Sequence, residues 1–215
     1  MTKRFGFTLA EVLITLGIIG VVAAMTMPTL LNSTQGAQYR TAYKKALSVL
    51  SQAVVMNVAL DDYDLAQATV TDSAKAIDGT STSLYNLFNN RMNVAKTCDG
   101  AGCSEGWQAN SINFGASATG NYTFFFNDGI TLTFKKSGTG SSNCTETNTG
   151  NDRCLGAIDV NGAKNPNRLV TCDDGTTGAT NCKVTNPTDV YPVIMYDQSV
   201  LPNSQAARAV LFGGK

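Results

Sequence analysis

From Phe7 to Met27 the chain runs 21 residues with a single charged side chain, Glu11. A helix rising about 1.5 Å per residue makes this run roughly 30 Å long, the thickness of a bilayer's hydrocarbon core. Lys3 and Arg4 precede it. Their charge should hold the N-terminus in the cytoplasm while the remainder crosses. Glu11 is the odd residue. A carboxylate at that depth costs on the order of 2–3 kcal/mol, so an acid there is expected to have a partner and a purpose. An ordinary secretory signal peptide is the simplest alternative. It would use Lys3–Arg4 as its charged region, Leu9–Val22 as its apolar region and a cut near Ala23–Ala24. Two features weigh against it. A disposable signal gains nothing from Glu11, and the helical pattern resumes after Pro28 and continues to about Leu60.

The cysteines agree with a crossing. All six follow the apolar run: Cys98, Cys103, Cys144, Cys154, Cys172 and Cys182. Their spacings are C-x4-C, C-x9-C and C-x9-C, without the C-x-x-C of zinc or redox motifs. An oxidising compartment and disulfides fit better. Six cysteines allow 15 pairings, and the local choice joins Cys98–Cys103, Cys144–Cys154 and Cys172–Cys182. Each closed loop of about ten residues would contribute at best about 2–3 kcal/mol. Histidine is absent, which removes the commonest general base and metal ligand. Acids and bases balance at 16 each, and the chain lacks the basic stripe of a nucleic-acid binder. No acid pair or nucleophile–base arrangement stands out, so an enzyme would have to be assembled from scattered Asp and Lys.

Pro28 cannot donate to the helix ladder and should kink or locally melt it. Gly17 and Gly20 lower helix propensity and let helices approach closely in an apolar bundle. Asn32, Ser33, Thr34 and Gly36 weaken the next turn. From Ala37 to Leu60, Tyr39, Tyr43, Ala46, Leu47, Leu50, Ala53, Val54 and Val58 recur in steps of three and four, an amphipathic helix. Arg40, Lys44 and Lys45 lie largely off that face. A continuous spine from Phe7 to Leu60 would be roughly 80 Å long; the alternative is a soluble helix separate from the anchor. "DDYD" at 61–64 ends it, and residues 65–78 are Ala-rich and fit no single pattern.

Beyond, Leu84, Leu87, Phe88 and Met92 predict a short core helix with Ser81 or Thr82 as N-cap. "NYTFFFNDGITLTF" predicts a hairpin. Tyr122, Phe124 and Phe126 share one face of the first strand, Ile130, Leu132 and Phe134 share one face of the return strand, and Gly129 supplies the positive φ of the turn. Further strands are expected at Leu155–Val160 and around Val190–Tyr196. A helix followed by strands gives an α+β head, a small antiparallel sheet packed on the spine. The stretches 137–152 and 171–182 read as surface loops tied by their cysteines, without the residues of a phosphate-binding loop. "IDVNGAKNPN" at 158–167 has two readings. Asp159, Asn161 and Gly162 resemble half of a calcium loop, but Val170 stands where an EF-hand needs Glu. The other reading is a hairpin with Asn161–Gly162 at its tip.

"G-F-T-L-A-E-V" at Gly6–Val12 resembles the processing site of type IV pilins and pseudopilins, the class III prepilins. A basic leader ends in Gly6, Phe7 stands at the first mature position and Glu11 at the fifth. Gly20 and Pro28 fall where many members carry a helix glycine and a kinking proline. The resemblance covers residues 1 to about 60. It implies residues 1–6 as a leader, 7–28 as a membrane and assembly helix, 29–60 as the amphipathic half of the spine and 61–215 as the globular head. It implies cleavage between Gly6 and Phe7 by a prepilin peptidase, N-methylation of Phe7, and assembly with copies and related pilins through an inner-membrane platform. The Glu11 carboxylate would then meet the Phe7 ammonium of a neighbouring copy. The subunit would lie in membrane lipid as a single-pass protein first and in an extracytoplasmic or cell-surface filament afterwards. Major pseudopilins bind calcium in a C-terminal loop, and by that resemblance Asp159, Asn161, Asp189 and Asp197 are candidates; otherwise no cofactor is expected. Three alternatives stand beside a pilus subunit: a pseudopilin of a type II secretion system, a minor tip subunit that binds DNA or a surface, and a soluble secreted protein.

Overall fold

The computed structural model describes residues 6–68, 82–99, 121–135, 143–150, 153–162, 164–178 and 180–213. One helix, α1, runs unbroken from Leu9 to Asp61 with Pro28 inside it. Its 53 residues extend roughly 80 Å. Around the proline, hydroxyls turn back onto the helix's own carbonyls: Thr26 Oγ1 to Val22 O, Thr29 Oγ1 to Thr26 O and Ser33 Oγ to Leu30 O. A helix without neighbours in lipid must satisfy its polar groups internally, and these residues do so.

The C-terminal half of α1 is part of the core. Tyr43, Ala46, Leu50, Ala53 and Val54 are buried, while Tyr39, Leu47 and Val58 are half-buried. This is the stripe read from the spacing, with one addition. Asn57 is fully buried. Its amide donates to Tyr63 O at 2.8 Å and its oxygen accepts from Arg91 Nε at 3.2 Å. Arg91 also pairs with Asp61. The helix end is thereby clamped to the next element, and Asp62 turns the chain with a left-handed φ of 58°.

That element is α2, Leu84–Arg91, whose N-cap is Ser83 rather than Ser81 or Thr82. Ser83 Oγ accepts from Asn86 N at 3.1 Å, so the helix starts later than expected. Six strands follow in an antiparallel sheet ordered as in the chain: β1 Val94–Asp99, β2 Asn121–Phe126, β3 Thr131–Lys135, β4 Cys154–Asp159, β5 Val190–Tyr196 and β6 Ser199–Pro202. A last helix, α3, spans Gln205–Phe212 behind the N-cap Ser204.

The predicted hairpin is β2–β3. Tyr122 pairs with Phe134 and Phe124 with Leu132, and Gly129 holds φ +84° at the turn. Tyr122, Phe124, Leu132 and Phe134 turn into one core with α1 and α2. Edge-on ring contacts knit it together, with Phe124 5.2 Å from Phe134 and Tyr85 4.8 Å from Phe124, a favoured aromatic geometry. Tyr43 of α1 stacks on Tyr191 of β5 with centroids 4.1 Å apart. Two disulfides join as expected, Cys144–Cys154 and Cys172–Cys182. Cys98 is also disulfide-bonded; its expected partner Cys103 lies outside the described residues. Asn161–Gly162 is a turn, with Gly162 at φ +63°, but not a hairpin tip. β4 pairs with β5, which begins only at Val190, so a long irregular excursion follows the turn.

Candidate assembly site

The N-terminal feature is built by Thr8 and Glu11. Thr8 is the N-cap of α1 in extended conformation. Its backbone N–H and its hydroxyl both donate to Glu11 Oε2 at 2.8 Å, and Glu11 N donates to Thr8 Oγ1 at 3.3 Å. This reciprocal capping box arises because Thr stands three residues before Glu at the start of an apolar run. The helix therefore begins after Gly6 and Phe7, which remain non-helical. Phe7 is 90% exposed. The bond between them lies in an accessible, unstructured approach to the helix.

Past the cap, the first half of α1 packs on none of the described residues. Its apolar window is 0% buried, and Val12, Leu13, Ile14, Leu16, Ile18 and Ile19 head a row of exposed side chains that ends at Leu31. An apolar surface of this extent on one helix marks a membrane or protein partner. Gly17, Gly20 and Gly36 meet no atom of another described element within 4 Å of where a Cβ would stand, so no such contact among the described residues requires them.

A second group of predicted residues lies in the head. Asp159, Asn161 and Asp189 come together where β4 ends and β5 begins. Asp159 and Asp189 are fully buried. Asp189 accepts from Asn167 N at 2.8 Å and Arg168 N at 2.6 Å. Asp159 Oδ1 accepts from Asn161 N at 3.1 Å. Asn161 Nδ2 donates to Tyr39 OH of α1 at 3.3 Å and to Asn165 O at 3.2 Å. Asp159 Oδ2 and Asn161 Oδ1 are buried without a partner. Burial, followed by the charge of Asp189, pushes the Asp159 carboxyl up to about 7 against the downward pull of the Asn161 and Gly162 N–H groups. Asp197 serves elsewhere: its backbone bonds Leu65 N and Cys144 O. Among the described residues no three acid or cysteine side chains form a metal cluster. The available donors are hard oxygens, two carboxylates and one amide. This class suits calcium, but backbone carbonyls would have to complete its six to eight ligands. The buried Asn57–Arg91 clamp went unread in the sequence, because an Asn and an Arg that lie 34 positions apart leave no spacing signal.

Residues 1–27 match the family model described as the prokaryotic N-terminal methylation motif, the leader of class III prepilins. The family of the motif consists of structural subunits rather than enzymes. No curated protein and no solved structure matches the chain. Leader and apolar helix together point to membrane anchoring before assembly.

Proposed function

We propose that this chain, bearing a prepilin methylation motif, is a structural subunit of a type IV pilus-like filament. It is cut between Gly6 and Phe7, methylated at Phe7 and polymerised through its N-terminal helix. The observation that carries the reading is the methylation motif joined to a stem whose large apolar side chains from Phe7 to Leu31 are exposed. Lipid covers that surface first and neighbouring stems afterwards. Glu11 is the device that selects the second state. In the uncut chain its carboxylate is held by Thr8. Cleavage creates an ammonium on Phe7, one residue before that cap. In a filament the carboxylate meets a neighbour's ammonium; at about 4 Å and an effective dielectric near 20 the attraction is on the order of 4 kcal/mol before desolvation. An unpaired acid in oil is penalised and a paired one is relieved, so the charge registers stem against stem. The intact mass and N-terminal peptide of the mature protein test this. A start at Phe7 with one added methyl supports it; a start downstream of Glu11 removes its basis.

A pseudopilin of a type II secretion system is the second reading, favoured by the orphaned oxygens of Asp159 and Asn161. A calcium ion there would be held by Asp159, Asn161 and Asp189 and would lock the 160–168 turn onto Tyr39 of the spine. Calcium, and not magnesium, should then raise the thermal midpoint of the head, and Asp159→Asn should abolish the rise.

A further inference from the structure

Two features of the head lie on opposite flanks of α1. The first is a cleft of about 320 Å³ between α1 and the β2–β3 turn. Val49, Ala53 and Met56 of α1 line one side, and Met92, Phe126 and Ile130 line the other. Both cations at its edge are matched, Lys45 by Asp128 and Arg91 by Asp61. Val49 and Met56 are exposed, so among the described residues the cleft stands open. The second feature is Phe212 at the end of α3, 78% exposed. Arg40 of α1 holds that end, its Nη2 donating to Leu211 O at 2.9 Å. Arg208 lies one turn before Phe212, on the same face of α3. It is exposed and in no ion pair among the described residues. At about 100° per residue, position 40 stands roughly 170° round the helix from positions 49 and 56. Buried Tyr43 and Leu50 fall between them. The protruding ring thus lies across α1 from the cleft of its own chain.

A protrusion on one flank and an apolar hollow on the other make a heterologous contact, which joins copies in open series. The levels along the spine agree. Arg40 stands five positions stemward of Lys45 at the near end of the cleft, about 8 Å. Phe7 stands four positions stemward of Glu11, about 6 Å. A copy displaced outward by one such step brings its Phe212 to its neighbour's cleft and its Phe7 ammonium to the same neighbour's Glu11. Arg208 then comes to the rim at Asp128, whose carboxylate is partly exposed. The contact is small. An aromatic side chain buries roughly 150–250 Å², against about 800 Å² on each partner of a stable interface. It cannot hold two heads together alone, and it acts where packed stems keep the local concentration high.

We propose that Phe212 of one copy enters the cleft between α1 and the β2–β3 turn of the next, with Arg208 meeting Asp128. The proposal rests on the stem-packed filament reading and adds the surface through which the heads meet. Heads are then latched in the same step that pairs the stems.

Filaments sheared from cells test it. A chain that never yields filaments sinks the stem reading, and this proposal with it. Arg208→Cys combined with Asn127→Cys places one thiol on each side of the contact, both at exposed positions. No described cysteine is free to compete. A short bismaleimide should link intact filaments of the double variant into ladders of dimers, trimers and longer products, while either single variant stays monomeric. Phe212→Ala should lower filament yield about tenfold without moving the thermal midpoint of the head, and Phe212→Leu should recover most of it. Filaments of the double variant that give no ladder, or Phe212→Ala at normal yield, overturn the latch and leave the stem reading standing. Should the double variant not assemble, Phe212→Ala decides alone. Dimers from either single variant would show copies meeting through one and the same flank, and a cross-link to a different protein would assign the cleft to that partner. Both results reject the latch.

Discussion

Glu11 has two separable properties, a side chain that caps α1 and a negative charge. Glutamine keeps the first, since either residue closes a capping box, and removes the second. Glu11→Gln should therefore leave insertion and the thermal midpoint of the head unchanged, while sheared-filament yield drops as far as it does for Glu11→Ala, which removes both properties. Filaments at normal yield from Glu11→Gln would show that the charge does not register the stems. Asp159 gives a prediction in pH. Its carboxyl titrates near 7 when folded, against an ordinary 3.8. Between those values the folded chain keeps a proton that the unfolded chain has released. Stability contributed by this group is therefore full at acid pH and is lost as pH rises through about 7. Three pH units correspond to at most ~4 kcal/mol. Urea midpoints measured at about pH 5 and about pH 8 should fall with rising pH, and Asp159→Asn should flatten the difference.

Among the elements, β4 is the tightest. Gly156 pairs with Phe134 on one side and Val193 on the other. A Cβ added there would stand 2.9 Å from Thr133 O and 3.1 Å from Met195 Cε. The methionine end can move, but the backbone oxygen cannot. Gly156→Val should thus cost roughly 1–3 kcal/mol through overpacking, read as a lower denaturation midpoint, whereas the same change at Gly178, with open space around it, should cost little. The β4 strand itself was legible in the sequence, as were the amphipathic half of α1, α2, the β2–β3 hairpin and β5, because each is long enough to show its period or its turn. β1, β6 and α3 were not. VAKTCD interleaves charges with few apolar residues, SVLP is four residues long, and QAARAVLF is a short run in which Ala206 and Ala207, two of three alanines, join a core shared with α1 and the sheet that no local pattern announces. At the site, Glu11 was legible because one charge breaks a 21-residue apolar run. The Asp159–Asp189 approach was only half legible. It depends on an excursion of about thirty residues returning to β4, and spacing alone does not separate Asp189, which joins the group, from Asp197, which does not.

At the scale of the molecule, stem and head are joined end to end without sharing a core. The buried cluster draws on α1 only from Tyr43 onward, with Tyr39 and Ala42 at its edge, and no residue of the apolar window before it is buried. Among the described residues, those up to Leu31 thus add no packing to the head, and their removal should open no cavity in it. A chain starting at Ser33 keeps Arg40's bond to Leu211, the Tyr43–Tyr191 stack and the Asn57–Arg91 clamp. It should be soluble and monomeric, and its denaturation midpoint should match that of the full chain in detergent within about 0.5 kcal/mol, the ordinary limit for changes distant from a core. The full chain should float with vesicles and the shortened one should not, because its exposed apolar surface is gone. Shortening further, to Ala46, is different in kind. It deletes Tyr43 and leaves Tyr191 and the sheet face under it uncovered, a loss of the size seen when a buried aromatic is truncated, about 3–5 kcal/mol. Circular dichroism melts of the two truncations separate the cases. A head that unfolds when only residues 1–32 are removed would mean that the stem supports the fold, and that assembly cannot exchange lipid for neighbouring stems without disturbing the head.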